Sequence, residues 1–225
     1  MSSIELQEVT KQYPGVLPVL ENISFRIEKG EFYYLTGVSG AGKTTIFRML
    51  MMIERPTSGR ILFGNSDITR LPTKQQALHR RKIGMVFQDY RLLEGDTIQD
   101  NVALPLRVAG LSGRRLREQV DRRLQEVGLY GRHKERVKGL SGGEKQLVSI
   151  ARALAFNPRV FFADEPTGNL DQTMAFRVMD LIHGLNRKGC TTIVATHDLN
   201  LIRTYKARTL LIKDKTVHEV RLAEK

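Results

Sequence analysis

The chain has 225 residues, 41% of them hydrophobic and 27% charged, with 36 Lys and Arg against 24 Asp and Glu. These are globular values for one large or two small domains, and they exclude a collagen-like chain, a disordered tail and a disulfide scaffold. The net charge of +12 invites a nucleic-acid or anionic-membrane reading, and no run approaches the roughly 18 consecutive apolar residues that a membrane helix needs.

At the amino end Glu5 and Glu8 follow too soon for a secretory signal, and the short runs 4–9, 23–28 and 60–63 read as β-strands. The runs 32–36, 83–87, 160–163 and 191–195 are continuously apolar, as strands of a parallel sheet covered on both faces should be. After the first of these comes GVSGAGKT: Gly37, Val38, Ser39, Gly40, Ala41, Gly42, Lys43 and Thr44, with a helical pattern over 45–53 that opens on Thr45. Strand before and helix after is the setting a G-x-x-x-x-G-K-T phosphate loop requires. Its glycines turn backbone N–H groups onto phosphate oxygens, and the helix behind adds a positive end. Lys43 is then expected to reach the β- and γ-phosphates of a nucleotide, and the Thr44 hydroxyl to ligate magnesium.

The positive charge is regional. Residues 70–82 hold five basic and no acidic side chains, and 107–138 hold ten against four. Within the second stretch the pattern over 99–129 is helical: Leu116, Val120, Leu124 and Val127 recur at three and four, with arginines between, an amphipathic helix with a cationic face. Residues 140–144 read LSGGE before a helical pattern over 145–154, so Ser141 can cap a helix with Glu144 closing a capping box. Gly142 and Gly143 bare the backbone there, which makes a second anion-binding helix end and points to a nucleotide shared by two copies. Residues 160–165 read VFFADE. Asp164 at the strand's carboxyl end is placed to hold magnesium through water, and Glu165, one residue along the same strand and pointing the other way, to act as general base. The lone Cys190 cannot form an intrachain bridge, which fits a reducing compartment.

Taken together and in this order, the motifs resemble those of the ATP-binding subunits of ABC transporters over essentially the whole chain. GVSGAGKT looks like the family's Walker A loop, Gln88 in VFQD its Q-loop, LSGGE its signature and VFFADE its Walker B. Residues 168–171 (GNLD) look like its D-loop, ending on Asp171; His197 in ATHD resembles its switch histidine, and Tyr13 in KQYPG the aromatic that stacks on adenine. The resemblance implies an α/β P-loop ATPase with a mostly parallel core sheet, an antiparallel β part and an inserted helical subdomain. The α/β core would be 1–90 and 156–225, and the helical part about 91–155. It implies ATP and Mg2+ as cofactors, with Tyr13, residues 37–45 and Gln88 on the nucleotide. Thr44, Gln88 and Asp164 would serve the metal, and Glu165 and His197 the chemistry. It also implies a homodimer in which Ser141, Gly142, Gly143, Glu144 and Asp171 reach the partner's ATP.

FQDYRLL, DNVALPLRVAG and ATHDLNLI are most similar to the cell-division ATPases of the family, which act through an integral membrane partner at the cytoplasmic face of the inner membrane. EPTGNLD is shared with lipoprotein-releasing and macrolide-export members, so an exporter ATPase is the alternative. Nucleic acid is not expected, because family members of that kind carry two ATPase domains or a long coiled coil. The charge excess is then expected to face the membrane partner or the anionic leaflet. Where the family usually continues the signature Gln-Gln-Arg, this chain has Lys145, Gln146 and Leu147, losing a bidentate donor that would buttress the signature helix.

Overall fold

The computed structural model describes residues 2–220. Strands β1 (Ser2–Lys11), β2 (Leu20–Glu28), β4 (Ser58–Phe63) and β5 (Ser66–Asp67) form an antiparallel sheet in the order β2-β1-β4-β5. A second sheet has the order β10-β9-β3-β8-β7-β6, from β3 (Phe32–Thr36), β6 (Ile83–Val86), β7 (Val160–Asp164), β8 (Thr191–Ala195), β9 (Arg208–Lys213) and β10 (Thr216–Val220). It is parallel except for β10, which pairs antiparallel with β9 at the edge. Strands β3, β6, β7 and β8 are buried at every position, which is why they read as unbroken apolar runs.

The alternation along these strands divides the interior in two. Phe32, Tyr34, Phe161 and Ala163 point to one side and join a core with helices α3 (Ile98–Val108), α4 (Gly113–Glu126), α5 (Gly142–Ala153) and α6 (Gln172–Arg187). Tyr33, Leu35, Val160 and Phe162 point to the other and pack with α1 (Lys43–Leu50) and the antiparallel sheet. The helical stretch therefore shares its core with one face of the parallel sheet. Helices α2 (Thr73–Arg80) and α7 (Leu199–Thr204) complete the fold.

Several boundaries differ from the expectations. The helical pattern over 99–129 is two helices, because Gly110 and Gly113 take left-handed backbone (φ 91° and 62°) and turn the chain back between them. Helix α1 starts at Lys43, two residues earlier than its pattern, since Gly42 at φ 108° bends the loop straight into the first turn. A side chain at Gly42 would also lie 2.9 Å from Leu20 Cδ2, so neither the space nor the backbone admits one. Strand β6 stops at Val86, while β7 runs on through Asp164.

Candidate nucleotide site

Lys43, Thr44, Asp164, Glu165 and His197 come together at the carboxyl ends of β3, β7 and β8, where open α/β sheets hold their ligands. Lys43 is 9% exposed and its ammonium folds back over its own loop, donating to the carbonyls of Gly37 at 2.8 Å and Val38 at 3.3 Å. Val38, Ser39 and Gly40 form the exposed crest of that loop, with Ala41 half-buried beneath. Gly37 sits where the loop crosses β9: a Cβ there would meet the Ile212 carbonyl at 2.8 Å.

Thr44 Oγ1 donates to Asp164 Oδ2 at 2.6 Å, joining residues that are 120 positions apart. Burial pushes the Asp164 carboxyl above its ordinary range against the opposing pull of the Thr44 hydrogen bond. Glu165 is not the next residue of a strand, as alternation would have it. It follows the end of β7 with left-handed backbone, φ 47°, uncommon for a residue with a Cβ and a form of strain that concentrates at functional sites. The turn directs its carboxylate toward the phosphate loop. Glu165 Oε1 lies 3.9 Å from Lys43 Nζ and 2.9 Å from His197 Nδ1. His197 is otherwise open, its side chain 74% exposed against 11% for Glu165.

Gln88 is exposed, two residues beyond β6, and its amide borders Gly168 just after the Glu165 turn. Tyr13 donates to Glu54 Oε2 at 2.6 Å and lies under Lys11 Nζ, 4.7 Å from the ring centroid. Burial, with that hydrogen bond, raises its phenol pKa. Thr45 is half-buried on the first turn of α1.

The LSGGE segment lies apart: among the described residues no hydrogen bond or ion pair joins 141–144 to 37–45. Ser141 caps α5 and Glu144 closes the capping box, its Oε2 accepting from the Ser141 N–H at 2.8 Å. Gly143 is buried, and a Cβ on it would meet Met174 Cγ at 2.6 Å; Gly142 faces Tyr90 Oη and the Asn169 carbonyl. Asp171 caps α6, accepting from the Met174 N–H at 2.9 Å.

The absent arginine at 147 does not leave the signature unsupported. Leu147 is core, and the guanidinium comes from Arg132, which bridges Glu144 at 2.5 Å and Glu135 at 2.6 Å. No motif marks Arg132, an arginine in the loop after α4. Arg132 and the two Ser141 donors hold the Glu144 carboxyl down at about 2, from an ordinary 4.5. A lowered folded-state pKa contributes stability that is present above the unfolded value and lost as pH falls through the folded one. The Glu144 contribution should therefore persist below pH 4.5 and fade toward 2, and Arg132→Ala should move the loss to higher pH. Acid titration of Glu144 by carboxyl NMR in the two proteins measures this; superimposable curves would remove Arg132 from the account.

With this geometry in view, the comparisons with known proteins are direct. The family model for ABC transporters matches residues 20–168, and the chain belongs to that family. It is an ATP-binding, ATP-hydrolysing cassette. It is similar to the cell division ATP-binding protein FtsE of Escherichia coli (strain K12), 45% identical over 215 residues covering 96% of this chain and 97% of that one. FtsE of Bacillus subtilis (strain 168) is 42% identical over 211 residues, 94% of this chain and 92% of the relative. A solved dimer of an ATP-binding cassette in a post-hydrolysis state with ADP and Pi bound superposes with a TM-score of 0.88 at 34% identity, covering 99% of this chain and all of that one.

Proposed function

We propose that the chain is the ATPase subunit that drives an integral membrane partner resembling FtsX in cell division, and so regulates cell-wall hydrolysis beyond the membrane. What carries this reading is similarity to division ATPases spread over 96% of the chain, so that it extends well beyond the nucleotide motifs common to all cassettes. ATP would sit on residues 37–45 with Tyr13 against the adenine. Thr44 and Asp164 suit magnesium, since they present hard oxygens 2.6 Å apart beside the phosphate loop, with Gln88 as a further oxygen donor. When bound, the ion would neutralise charge on the β- and γ-phosphates. Glu165 would take the proton from the attacking water, and His197 would orient Glu165 and meet the γ-phosphate.

A homodimer would complete each site, with Ser141, Gly142, Gly143, Glu144 and Asp171 of one copy meeting the nucleotide on the other. The separation of 141–144 from the phosphate loop within one chain supports this, as does the dimeric form of the solved cassette. The protein would work at the cytoplasmic face of the inner membrane. Its helical part offers the membrane partner exposed Leu104 and Val108 beside exposed Arg115, Arg117 and Arg122. Much of the remaining charge there is engaged internally, in the pairs Arg107–Asp100, Arg114–Glu118 and Arg123–Glu126, which weakens the case for nucleic acid.

Depleting the protein tests the role: cells should form filaments or chains. Normal division with accumulating lipoprotein or drug would replace this reading with the exporter one.

A further inference from the structure

A cavity of about 750 Å³ lies at the amino ends of the parallel strands, the pole opposite the phosphate loop. Its wall is formed by the segments that lead into β3, β6, β7 and β8, by the β4–β5 turn and by the ends of α4 and α5. Five cationic side chains line it, Lys29, Lys82, Arg123, Arg159 and Lys188, against one carboxylate, Glu126. That carboxylate is already committed, since both its oxygens accept from Arg123 Nη1, at 2.8 and 2.7 Å.

Arg123 is held in place as a designed part of the wall. Its side chain is 4% exposed, its Nη2 donates to Asn157 Oδ1 at 2.5 Å, and its Nε has no hydrogen-bond partner. That Nε is closed off from solvent and so from any occupant of the cavity; with Glu126 and Asn157 on its Nη groups, Arg123 fixes the shape of the wall. Among the described residues no ion pair engages Lys29, Lys82, Arg159 or Lys188.

Helix dipoles offset part of this charge. Helices α4, α5 and α6 do end at this cavity, and each carboxyl end carries about half a negative charge, roughly −1.5 in all. The side chains carry a net +4, so most of the positive charge is left over. The volume falls within the roughly 300–1,000 Å³ of small-ligand sites. None of the exposed large apolar residues lines the cavity, so it offers no apolar anchor to a bilayer.

We propose that this cavity binds a soluble ligand carrying two or more phosphate groups, held by Lys29, Lys82, Arg159 and Lys188 on a wall that the Arg123–Glu126 pair fixes. Planar guanidinium and ammonium donors converging on one space match the oxygens of linked phosphates, and multiple charges are needed to balance the wall. The site is separate from the ATP site by the length of β3, five residues or about 16 Å at ~3.3 Å per residue.

The protein supplies its own reporter. Cys190, the one cysteine of the sequence, lies in the cavity wall, half-buried, with burial pushing its thiol up to about 11. Alkylation of Cys190 by iodoacetamide at alkaline pH, in full-length protein carrying Lys43→Ala so that the first phosphate loop is disabled, reads occupancy of this cavity alone. Inorganic tripolyphosphate should slow the alkylation at least about tenfold, and the combined Lys82→Glu and Arg159→Glu changes should raise the protecting concentration by at least about tenfold. With Lys43 restored, those two changes should leave basal ATP hydrolysis at the parental rate. Should the doubly changed protein fail to fold, Lys82→Gln alone should still raise the protecting concentration. Absence of protection, or protection unaltered by the substitutions, would overturn the proposal. So would protection by phosphatidylglycerol vesicles without protection by tripolyphosphate, which would make the surface a membrane contact.

Discussion

Replacement of Lys43 by alanine should cut ATP affinity by at least about 100-fold, on the order of 3 kcal/mol for two charge-assisted contacts to phosphate. The side chain is unusually well placed for that role before any ligand arrives. At 9% exposure it is already folded over the loop, with Nζ on the Gly37 and Val38 carbonyls, so little conformational freedom is left to lose on binding. The alanine protein should remain folded, because those two carbonyls lie at the half-buried base and the exposed crest of the loop, where water can replace the ammonium. Equilibrium binding of a fluorescent ATP analogue measures the effect. An affinity equal to that of the parent would end the assignment of 37–44 as the nucleotide loop.

The Glu165→Gln protein should behave in the opposite way, binding ATP normally while hydrolysing it at least about 100-fold more slowly, the lower end of what a positioned general base contributes. The substitution preserves shape at a site that is 11% exposed and removes only the charge that Lys43 and His197 now share. Glutamine also keeps a hydrogen-bond acceptor for His197 Nδ1, so the turn at φ 47° should survive. An ATP-bound dimer should accumulate, visible as a larger species in size-exclusion chromatography only when ATP is present. Turnover at the parental rate would show that another group accepts the proton.

The two experiments divide what was legible in the sequence from what was not. The phosphate loop could be read because strand, glycines, lysine and helix are contiguous, so local chemistry dictates local shape. Burial on both faces made β3, β6, β7 and β8 equally visible. The direction of Glu165 was not legible, since alternation holds only while the strand lasts and the chain turns left-handed right after Asp164. The Thr44–Asp164 hydrogen bond, spanning 120 positions, follows from strand order, which no spacing encodes. Arg132 carries no sequence signal at all. Its role depends on where the loop after α4 happens to meet the first turn of α5. The amphipathic pattern of Leu116, Val120 and Leu124 does fall on one helix, α4, while the turn at Gly110 and Gly113 that parts it from α3 carries no periodicity to read.

The place of β3 in its sheet has a consequence for how the protein comes into being. Its neighbours are β8 and β9, whose residues enter the chain more than 150 positions later: Phe32 pairs with Thr192, and Tyr33 with Arg208. Gly37 takes its seat against the carbonyl of Ile212. Pairings this distant in sequence form late, after the local helical contacts of 98–153 have had time to settle. A nascent chain therefore carries the complete phosphate-loop motif for most of its synthesis without the platform that shapes it. Capture of ATP should then be a property of protein elongated through β9, and a premature stop between residues 198 and 207 would leave every nucleotide motif written in the chain but without the strand that seats Gly37.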